Sequence, residues 1–351
     1  MKLKIAIMNG DDIGIEIVPM AKLVLTETLK SLGFSIELID LPIGKLAHNK
    51  YGDTFPEYTI SQLNEVHGII CGPIGHNNYP RNDSTWKMPP IRKKFELYAA
   101  IRPAKSYDNS KNIDIIFVRE LTEGLQSSDT IVGGYPEYRP SDEITIASRV
   151  ITRKGSHRVA KAAFDIAVSK NRSKVTAAHK EPLYRLSCGM FLEECVRVSK
   201  EYPSISYEDT LIDTTAMHLV SNPESFDVVV TTNQFGDILS DIGAGLIGSI
   251  GMAPGLCLGD NIAMAQATHG SAPDIAGRNI ANPYAIIIST AMLLSWMGYK
   301  YNVEKLITAS NIIEESTLEV VKERKHLTRD IGGKASTSDM TNAIIEKVKT
   351  R

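Results

Sequence analysis

The chain has 351 residues, of which 43% are hydrophobic, and it carries 39 basic against 41 acidic side chains. Single hydrophobic cores stop growing at roughly 250 to 300 residues, so this length predicts two domains. A formal net charge of -2 gives no support to nucleic acid as the main partner, because phosphate binding requires an excess of Lys and Arg. No apolar run reaches the roughly 18 residues that cross a bilayer, so we expect no membrane segment and a cytoplasmic protein.

In the first third of the chain, strand-like runs alternate with helical patterns. Residues 15–32 have helical periodicity that ends at Gly33, and residues 91–100 predict another helix after a proline-rich segment. This β-α-β rhythm predicts a parallel sheet flanked by helices. The strands expected here are 3–8, 35–41 and 68–71.

The later part of the chain continues this alternation and adds one irregular insertion. Residues 127–141 are rich in Gly, Pro and Tyr, which suits an extended arm or β-hairpin outside the core, although composition leaves an ordinary surface loop open. The apolar stretch 285–297 predicts a buried helix, and two long amphipathic helices close the chain. The remaining strands are expected at 113–119, 144–151, 174–178, 206–212 and 226–232, and the remaining helices at 156–169, 189–202 and 235–247.

Two aspartates four residues apart are the most informative feature, Asp237 and Asp241 in the segment NQFGDILSD. On the predicted helix both carboxylates lie on one face, where they repel each other unless a cation or a basic group lies between them. Two carboxylates, water and a hydroxy-acid substrate suit the octahedral oxygen shell of Mg2+ or Mn2+. The alternative is a pair of acids near a helix N-terminus that the helix dipole stabilises.

Three arginines stand at or near predicted element boundaries. Arg92 and Arg102 flank the helix expected at 91–100, and Arg119 ends the strand expected at 113–119. Arginine forks bind carboxylates through two parallel hydrogen bonds, so three arginines that converge on one pocket predict a di- or tricarboxylate substrate. A single arginine is more often a solvated surface charge, which is the alternative for each of them.

The segment HGSAPDIAG, residues 269–277, combines small residues that allow close backbone approach with one acid, Asp274. Such an acid accepts hydrogen bonds from a ribose diol and repels a 2′-phosphate, although a tight Gly/Pro loop is the alternative. The glycines Gly243, Gly245 and Gly248 match G-x-G-x-x-G, but we reject this match because a helical pattern precedes them where the fingerprint requires a strand. The eight histidines show no zinc motif, and the four distant cysteines are expected to be buried thiols.

Together these motifs resemble the β-decarboxylating dehydrogenase family, which includes isocitrate, isopropylmalate, homoisocitrate, tartrate and D-malate dehydrogenases. The resemblance covers nearly the whole chain and rests on GDDIGIEIVP, IRKKFELYAAIRPAKSY, VRELTEG, AAHKEPL, IDTTAMHL, NQFGDILSD, HGSAPDIAGRNIANP and DIGGKAST, in that order. It implies an α/β, isopropylmalate-dehydrogenase-like fold in two domains, with parallel or mixed sheets flanked by helices and no Rossmann fingerprint. One domain is expected from 1–97 with 247–351, and the other from 98–246, with an arm near 127–141 that clasps a second subunit.

The resemblance also implies which residues bind the substrate, a small hydroxy-carboxylic acid. Arg92, Arg102 and Arg119 are expected to hold its carboxylates, and Met88 is expected to contact its variable arm. The active sites are expected to be shared between the two subunits of a homodimer, so that each site is complete only in the assembly.

The same resemblance implies which residues bind the metal ion and which residue transfers the proton. Asp237 and Asp241 are expected to bind Mg2+ or Mn2+ together with Asp213 of the partner subunit. Lys180, also from the partner, is expected to relay the proton of the substrate's hydroxyl, which makes Lys180 and Asp213 the expected catalytic residues. The expected NAD-binding residues are His269, Gly270, Ser271, Ala272, Asp274, Ile275 and Asn282.

The implied reaction is metal-dependent oxidation of a (2R)-hydroxy acid by NAD, followed by loss of the β-carboxylate as CO2. Asp274 predicts NAD rather than NADP. Met88, Pro89 and Ile91 form an apolar wall that favours a 3-isopropylmalate-like acid. The motifs GMAPG and LGDN leave homoisocitrate or isocitrate open, and D-malate or tartrate is a further alternative.

Several positions depart from the family's pattern. Gln126 stands where the family has a tyrosine that donates a proton, and Gln266 replaces the Glu of a Glu-Pro pair near the nicotinamide. At the start of the chain GDGIGPE has become GDDIGIE, with Asp12 and Ile15. Two hypotheses follow: an active enzyme with an unusual substrate or last step, and a catalytically weak paralogue with a regulatory or binding role.

Overall fold

The computed structural model describes residues 2–75, 79, 89–107, 112–125 and 137–351. The chain divides into two compact units. The terminal unit consists of Met1–Lys94 with Gly248–Arg351, and the central unit consists of Phe95–Ile247. Met88, assigned above to the substrate's arm, and Gln126, at the position of the family's tyrosine, lie outside the described residues.

Strands and helices alternate along both units, which is the pattern of an α/β fold. The strands are β1 (Lys4–Met8), β2 (Glu37–Asp40), β3 (Gly68–Cys71), β4 (Ala99–Lys105), β5 (Asp114–Glu120), β6 (Glu137–Ser141), β7 (Ile144–Ala147), β8 (Lys174–His179), β9 (Ser206–Leu211), β10 (Val228–Thr231), β11 (Leu256–Leu258) and β12 (Ala263–Ala265). The helices are α1 (Gly14–Ser31), α2 (Gly44–Tyr51), α3 (Glu57–Leu63), α4 (Ile91–Lys94), α5 (Arg153–Ser169), α6 (Ser187–Ser199), α7 (Ile212–Ser221), α8 (Asn233–Leu246), α9 (Tyr284–Tyr301), α10 (Glu304–Glu323) and α11 (Thr337–Lys349).

In the terminal unit the strands lie in the order β2-β1-β3-β12-β11. β1 runs parallel to β2 and β3, β12 runs parallel to β3, and β11 is antiparallel to β12. Every residue of β3 is buried, as is usual for a strand whose sheet has helices on both faces. α9 is buried along most of its length, and both α1 and α10 pack against it.

In the central unit the strands lie in the order β4-β5-β10-β8-β9. β4 is antiparallel to β5, and the other neighbours are parallel. Phe117 of β5 and Leu239 of α8 belong to the core between sheet and helix. A Cβ atom on Gly243 would lie 2.5 Å from the Phe117 ring, so only glycine allows α8 to approach this closely. Gly243 and Gly245 both belong to α8, which confirms that they are no dinucleotide fingerprint.

The α/β class with mixed sheets flanked by helices is confirmed, but the helix expected at 91–100 is wrong beyond Lys94. Glu96 has φ +47°, a left-handed conformation that a continuing right-handed helix does not allow. The chain then extends from Ala99 into β4 and pairs with β5. Arg102 therefore lies within a strand, where we had expected it to follow a helix.

The hydrophobic periodicity of the sequence also failed to predict several short helices and strands. α2, α3 and α7 have between 7 and 10 residues, and β11 and β12 have 3 each. Elements of this length complete too few turns or alternations to give a periodic signal. Of these, α7 matters most for the site, because it begins directly after β9 and carries Asp213 in its first turn.

β6 and β7 pair as an antiparallel hairpin in which every residue is exposed. The described part of the irregular insertion is therefore one strand of a hairpin, and residues 127–136 lie outside the described part. The strand expected at 144–151 ends at Ala147. The role of this hairpin as a clasp between subunits stays a prediction.

The four cysteines are free and buried, as expected. Burial raises the pKa of Cys71 to about 12, so this thiol stays protonated and unreactive at neutral pH. Among the described residues, no helix is both long enough and apolar enough to span a membrane.

Two serines of α10 test how buried hydroxyls affect stability. Ser310 Oγ donates to the Ala291 carbonyl of α9 at 2.7 Å, whereas Ser316 Oγ is buried without a hydrogen-bond partner among the described residues. We expect Ser316→Ala to raise the free energy of unfolding by about 1 kcal/mol, because it removes an unsatisfied polar group and favours helix. The matched Ser310→Ala change should lower it by about 1 kcal/mol. Urea unfolding measures both, and a loss of stability for Ser316→Ala would contradict this account.

Candidate active site

The carboxyl ends of two neighbouring strands gather polar residues in the central unit. Arg119 stands near the end of β5 and pairs in register with Thr231, the last residue of β10. α8 begins at Asn233, directly after that strand. Ligands of α/β proteins bind outside the carboxyl ends of the strands, so this edge of the sheet is the expected location of a site.

One carboxylate lies between two buried guanidiniums at this edge. Arg102 Nη1 lies 3.1 Å from Asp237 Oδ1, and Arg119 Nη1 donates to the same oxygen. Arg102 is 7% exposed and Arg119 is 4% exposed, so neither is a solvated surface charge. Further hydrogen bonds fix both guanidiniums: Arg102 donates to Ser240 Oγ at 2.8 Å, and Arg119 Nη2 donates to Asn233 Oδ1 at 2.7 Å.

Asp241 lies one turn further along α8 than Asp237. Burial raises its pKa, while the positive charge of Arg102 opposes that shift. The first turn of α8 contains no acid, and Asp237 is its fifth residue, so the helix dipole does not account for the two aspartates. Their position instead suits an interaction with a cation.

The carboxylate oxygens of Asp237 and Asp241 are the type of ligand that Mg2+ and Mn2+ prefer. Within the described residues of one chain, no group of three His, Cys, Asp or Glu side chains lies close enough to hold a metal ion. Asp213 of the same chain therefore does not complete the pair formed by Asp237 and Asp241. Apart from residues outside the described ranges, the remaining ligands would come from substrate, water or another chain.

Lys180 and Asp213 form a second group. Lys180 follows β8 and Asp213 follows β9, and these parallel neighbours pair His179 with Leu211 at their ends. Lys180 Nζ lies 2.6 Å from Asp213 Oδ1, and this hydrogen bond lowers the pKa of Asp213. The Asp213 side chain is 62% exposed, so the pair faces outward from its own chain.

Arg149 connects these two regions, although no motif or spacing in the sequence pointed to it. Its guanidinium lies between the rings of Tyr184 and Phe235, 5.1 and 5.4 Å from their centroids. It also donates to Ser187 Oγ at 2.6 Å. Tyr184 and Ser187 belong to the segment after Lys180, and Phe235 lies in the first turn of α8. Arg149 therefore holds the segment that follows Lys180 against the start of α8.

Arg92, the third predicted arginine, belongs to the terminal unit. It is the second residue of α4, and its Nη2 donates to Gln266 Oε1 at 2.8 Å. Gln266 directly follows β12, so the side chain that replaces the family's glutamate meets a predicted substrate arginine.

The predicted cofactor segment is a tight loop of the terminal unit. Burial lowers the pKa of His269, so its imidazole is neutral at pH 7. The Ser271 carbonyl accepts a hydrogen bond from the Ile13 amide at 3.1 Å, which attaches the loop to the start of α1. Ala272 has φ +42°, while Gly270 and Asp274 are exposed and Ile275 is half-buried. The backbone turn thus presents Asp274 to solvent, where a ligand can reach it.

Asn282 is also predicted to bind the cofactor, and both polar atoms of its side-chain amide form hydrogen bonds. Its Nδ2 donates to Asp330 Oδ2 at 3.0 Å, and its Oδ1 accepts from the Tyr284 amide at 2.9 Å at the start of α9. These contacts fix the side chain, which is 7% exposed. Asn282 therefore orders the loop that precedes α9.

Asp11 is a second residue whose importance the sequence did not reveal. It is 1% exposed and accepts hydrogen bonds of 2.8 Å from the Lys45 amide, the Gly75 amide and the Tyr79 hydroxyl. Its neighbour Asp12 has φ +50°, a conformation in which glycine is unstrained and aspartate is tolerated. This backbone conformation explains why the related pattern GDGIGPE has glycine where this chain has Asp12.

Comparison with known proteins agrees with the fold. The crystal structure of isocitrate dehydrogenase from Methylococcus capsulatus superposes with a TM-score of 0.86 at 33% identity, covering 99% of both chains. The homoisocitrate dehydrogenase of Methanocaldococcus jannaschii is 40% identical over 99% of both sequences. The 3-isopropylmalate dehydrogenase of Sulfurisphaera tokodaii is 37% identical over 99% of this chain and 100% of its own length.

The fold and these relatives define an α/β dehydrogenase that acts on CH–OH groups. The sequence model described as isocitrate/isopropylmalate dehydrogenase matches residues 4–344, and the chain belongs to that family. The resemblance inferred from the motifs and the prediction of an oxidoreductase are confirmed. The assignments of individual site residues stay predictions.

The two aspartates of α8 should affect the stability of the metal-free protein in opposite directions. Asp237→Asn should lower the free energy of unfolding by about 1 to 3 kcal/mol, because two buried guanidiniums lose their shared carboxylate. Asp241→Asn should leave it unchanged or raise it by about 1 kcal/mol, because it removes a carboxylate that burial penalises. Urea unfolding in the presence of EDTA measures both variants. An equal loss of unfolding free energy in the two variants would contradict the different roles assigned to the two carboxylates.

Proposed function

We propose that the chain catalyses metal-dependent, NAD-linked oxidative decarboxylation of a (2R)-hydroxy acid that carries a β-carboxylate. The observation that carries this proposal is the Asp237 carboxylate between Arg102 and Arg119, with Asp241 one turn away. Two buried guanidiniums suit an acid with several carboxylates, and two neighbouring aspartates suit a divalent cation. Family membership supports the oxidoreductase class.

The contact of Asp237 with Arg102 and Arg119 indicates how these arginines would bind a carboxylate of the substrate. Asp237 occupies the guanidiniums of Arg102 and Arg119 as a substrate carboxylate would. Mg2+ or Mn2+, held by Asp237 and Asp241, would supply positive charge that lowers the pKa of the substrate's hydroxyl. When Asp237 acts as a metal ligand, both arginines become available to the acid. Binding of the acid should therefore depend on the metal.

Lys180 is the proposed proton carrier. Asp213 Oδ1 lies 2.6 Å from its Nζ and holds this group in place. An amine held in this way takes the proton of the substrate's hydroxyl and later returns a proton to the product of decarboxylation. The second step falls to Lys180 because Gln126 has an amide, which does not act as an acid.

We further propose that Lys180 and Asp213 act in the active site of a second copy of the chain. The segment around them exposes apolar side chains: Leu183 is 71% exposed, Leu186 is 89% exposed and Met217 is 57% exposed. Neighbouring apolar side chains exposed to this extent are typical of a surface that another chain covers. A homodimer would bring this surface, with its Lys180, to the partner's metal site.

The proposed cofactor is NAD, held by the loop from His269 to Ile275 with Asn282 behind it. Small residues and an unusual backbone at Ala272 allow a nucleotide to approach the loop closely. The exposed carboxylate of Asp274 is available to the ribose hydroxyls and would repel the 2′-phosphate of NADP. NAD would accept the hydride from the substrate's C2.

Two kinds of variable side arm are candidates for the substrate. The apolar wall predicted before Arg92 favours a 3-isopropylmalate-like acid, although Ile91 is only 5% exposed and packs within the terminal unit. The name of the 40%-identical relative, homoisocitrate dehydrogenase, favours an arm that ends in a carboxylate. Both acids share the hydroxyl and the β-carboxylate that the proposed chemistry requires.

Turnover with a panel of acids tests the proposal. With Mn2+ and NAD, we expect NADH and CO2 from at least one of 3-isopropylmalate, homoisocitrate, isocitrate, D-malate and tartrate. NADP should give a kcat/KM at least about tenfold lower, because Asp274 repels its 2′-phosphate. The absence of turnover with every acid, combined with metal-dependent acid binding, would favour the regulatory paralogue instead.

Mixed dimers test whether the sites are shared. We expect Lys180→Met and Asp237→Asn each to abolish nearly all activity as homodimers. When the two variants are unfolded together and refolded, half of the dimers contain one intact site, made from the unchanged Asp237 of one chain and the unchanged Lys180 of the other. About a quarter of wild-type activity should return. Recovery near zero would show that each chain uses its own Lys180.

A further inference from the structure

In the terminal unit, the side chain of Arg92 is hydrogen-bonded to the side chain of Gln266. Its Oε1 accepts a hydrogen bond of 2.8 Å from Arg92 Nη2, although 174 residues separate the two in the sequence. Both residues are half-buried, so this hydrogen bond is partly shielded from water. Arg92 itself stands on α4, a helix of only four residues.

Gln266 is held in place by its own hydrogen bonds. Its backbone amide donates to the Gly255 carbonyl at 3.0 Å, and its Nε2 points to the Gly72 carbonyl at 3.4 Å. It directly follows β12, whose three residues are all buried. A Cβ atom at position 255 would lie 2.5 Å from the Gln266 carbonyl, so Gly255 allows the chain to pass closely here. The acceptor for Arg92 is therefore presented from the sheet.

We propose that Gln266 is a positioning and specificity-determining residue, which orients Arg92 toward a carboxylate of the substrate without neutralising its charge. This inference rests on the proposed function, because it takes Arg92 to be a substrate-binding arginine. A guanidinium has five N–H donors. Within the described ranges the side-chain hydrogen bond of Arg92 is the one to Gln266, which uses one of these donors and leaves others for a carboxylate of the acid.

The neutrality of Gln266 matters because an amide and a carboxylate affect an arginine differently. An amide oxygen accepts one hydrogen bond and leaves the positive charge in place. A carboxylate at the same position would form a charge-assisted, bidentate pair and compete with the substrate for the guanidinium. The side chain at position 266 therefore determines how much of the charge of Arg92 reaches the acid.

The test compares Gln266→Glu with the nearly isosteric Gln266→Met in the full-length protein, with Mn2+, NAD and the best acid of the panel. For Gln266→Glu we expect the KM of the acid to rise about tenfold with kcat within about threefold, because the added charge pairs with Arg92 before the substrate does. For Gln266→Met the KM should rise about threefold, because only one neutral hydrogen bond is lost. Gln62→Glu, on α3 of the same unit, is the charge control and should change KM less than about twofold.

A double-mutant cycle separates positioning from a general structural effect. In an Arg92→Met background, Gln266→Glu should no longer change the KM, whereas a structural defect would persist. An unchanged KM for Gln266→Glu, or an equal rise with and without Arg92, would overturn the inference. A wild-type protein that neither turns over nor binds any acid in calorimetry would overturn the proposed function, and the inference with it.

Discussion

Much of the central unit depends on one electrostatic arrangement, two buried guanidiniums around a single carboxylate. Arg102 and Arg119 stand on neighbouring strands and are nearly inaccessible to water, and buried positive charges are costly unless an anion lies near them. Asp237 supplies that anion because α8 follows β10 directly and packs closely onto β5 through Gly243. The central unit thereby holds two arginines and an aspartate together at one edge of its sheet.

The arginines are nevertheless not equivalent. In the central unit two of them share one carboxylate, whereas in the terminal unit the described contact of Arg92 is to a neutral amide. An acid that reaches Arg102 or Arg119 meets a positive charge that Asp237 offsets in part, but an acid that reaches Arg92 meets a charge that Gln266 does not cancel. Binding at the first two positions therefore competes with an internal ion pair, whereas binding at Arg92 competes only with a neutral hydrogen bond.

Regular elements were predictable from the sequence because their signals are local. The strand β1, the helix α1 and the spacing of Asp237 and Asp241 on one helical face are encoded within a few turns or alternations. The helix expected at 91–100 failed because the left-handed backbone of Glu96 leaves no periodic trace. The contacts of Asp11 with Tyr79 and of Arg149 with Thr232 join residues 68 and 83 positions apart, which no local pattern encodes.

The terminal unit is built from both ends of the sequence, and this has a consequence for synthesis of the chain. β3 pairs with β12 through Ile69 and Met264, and α1 packs against α11. On the ribosome the first three strands emerge long before these partners, while the central unit is made in one uninterrupted stretch. The central unit can therefore fold first, and the apolar strand β3, with one edge still unpaired, is the part of the nascent chain most exposed to aggregation.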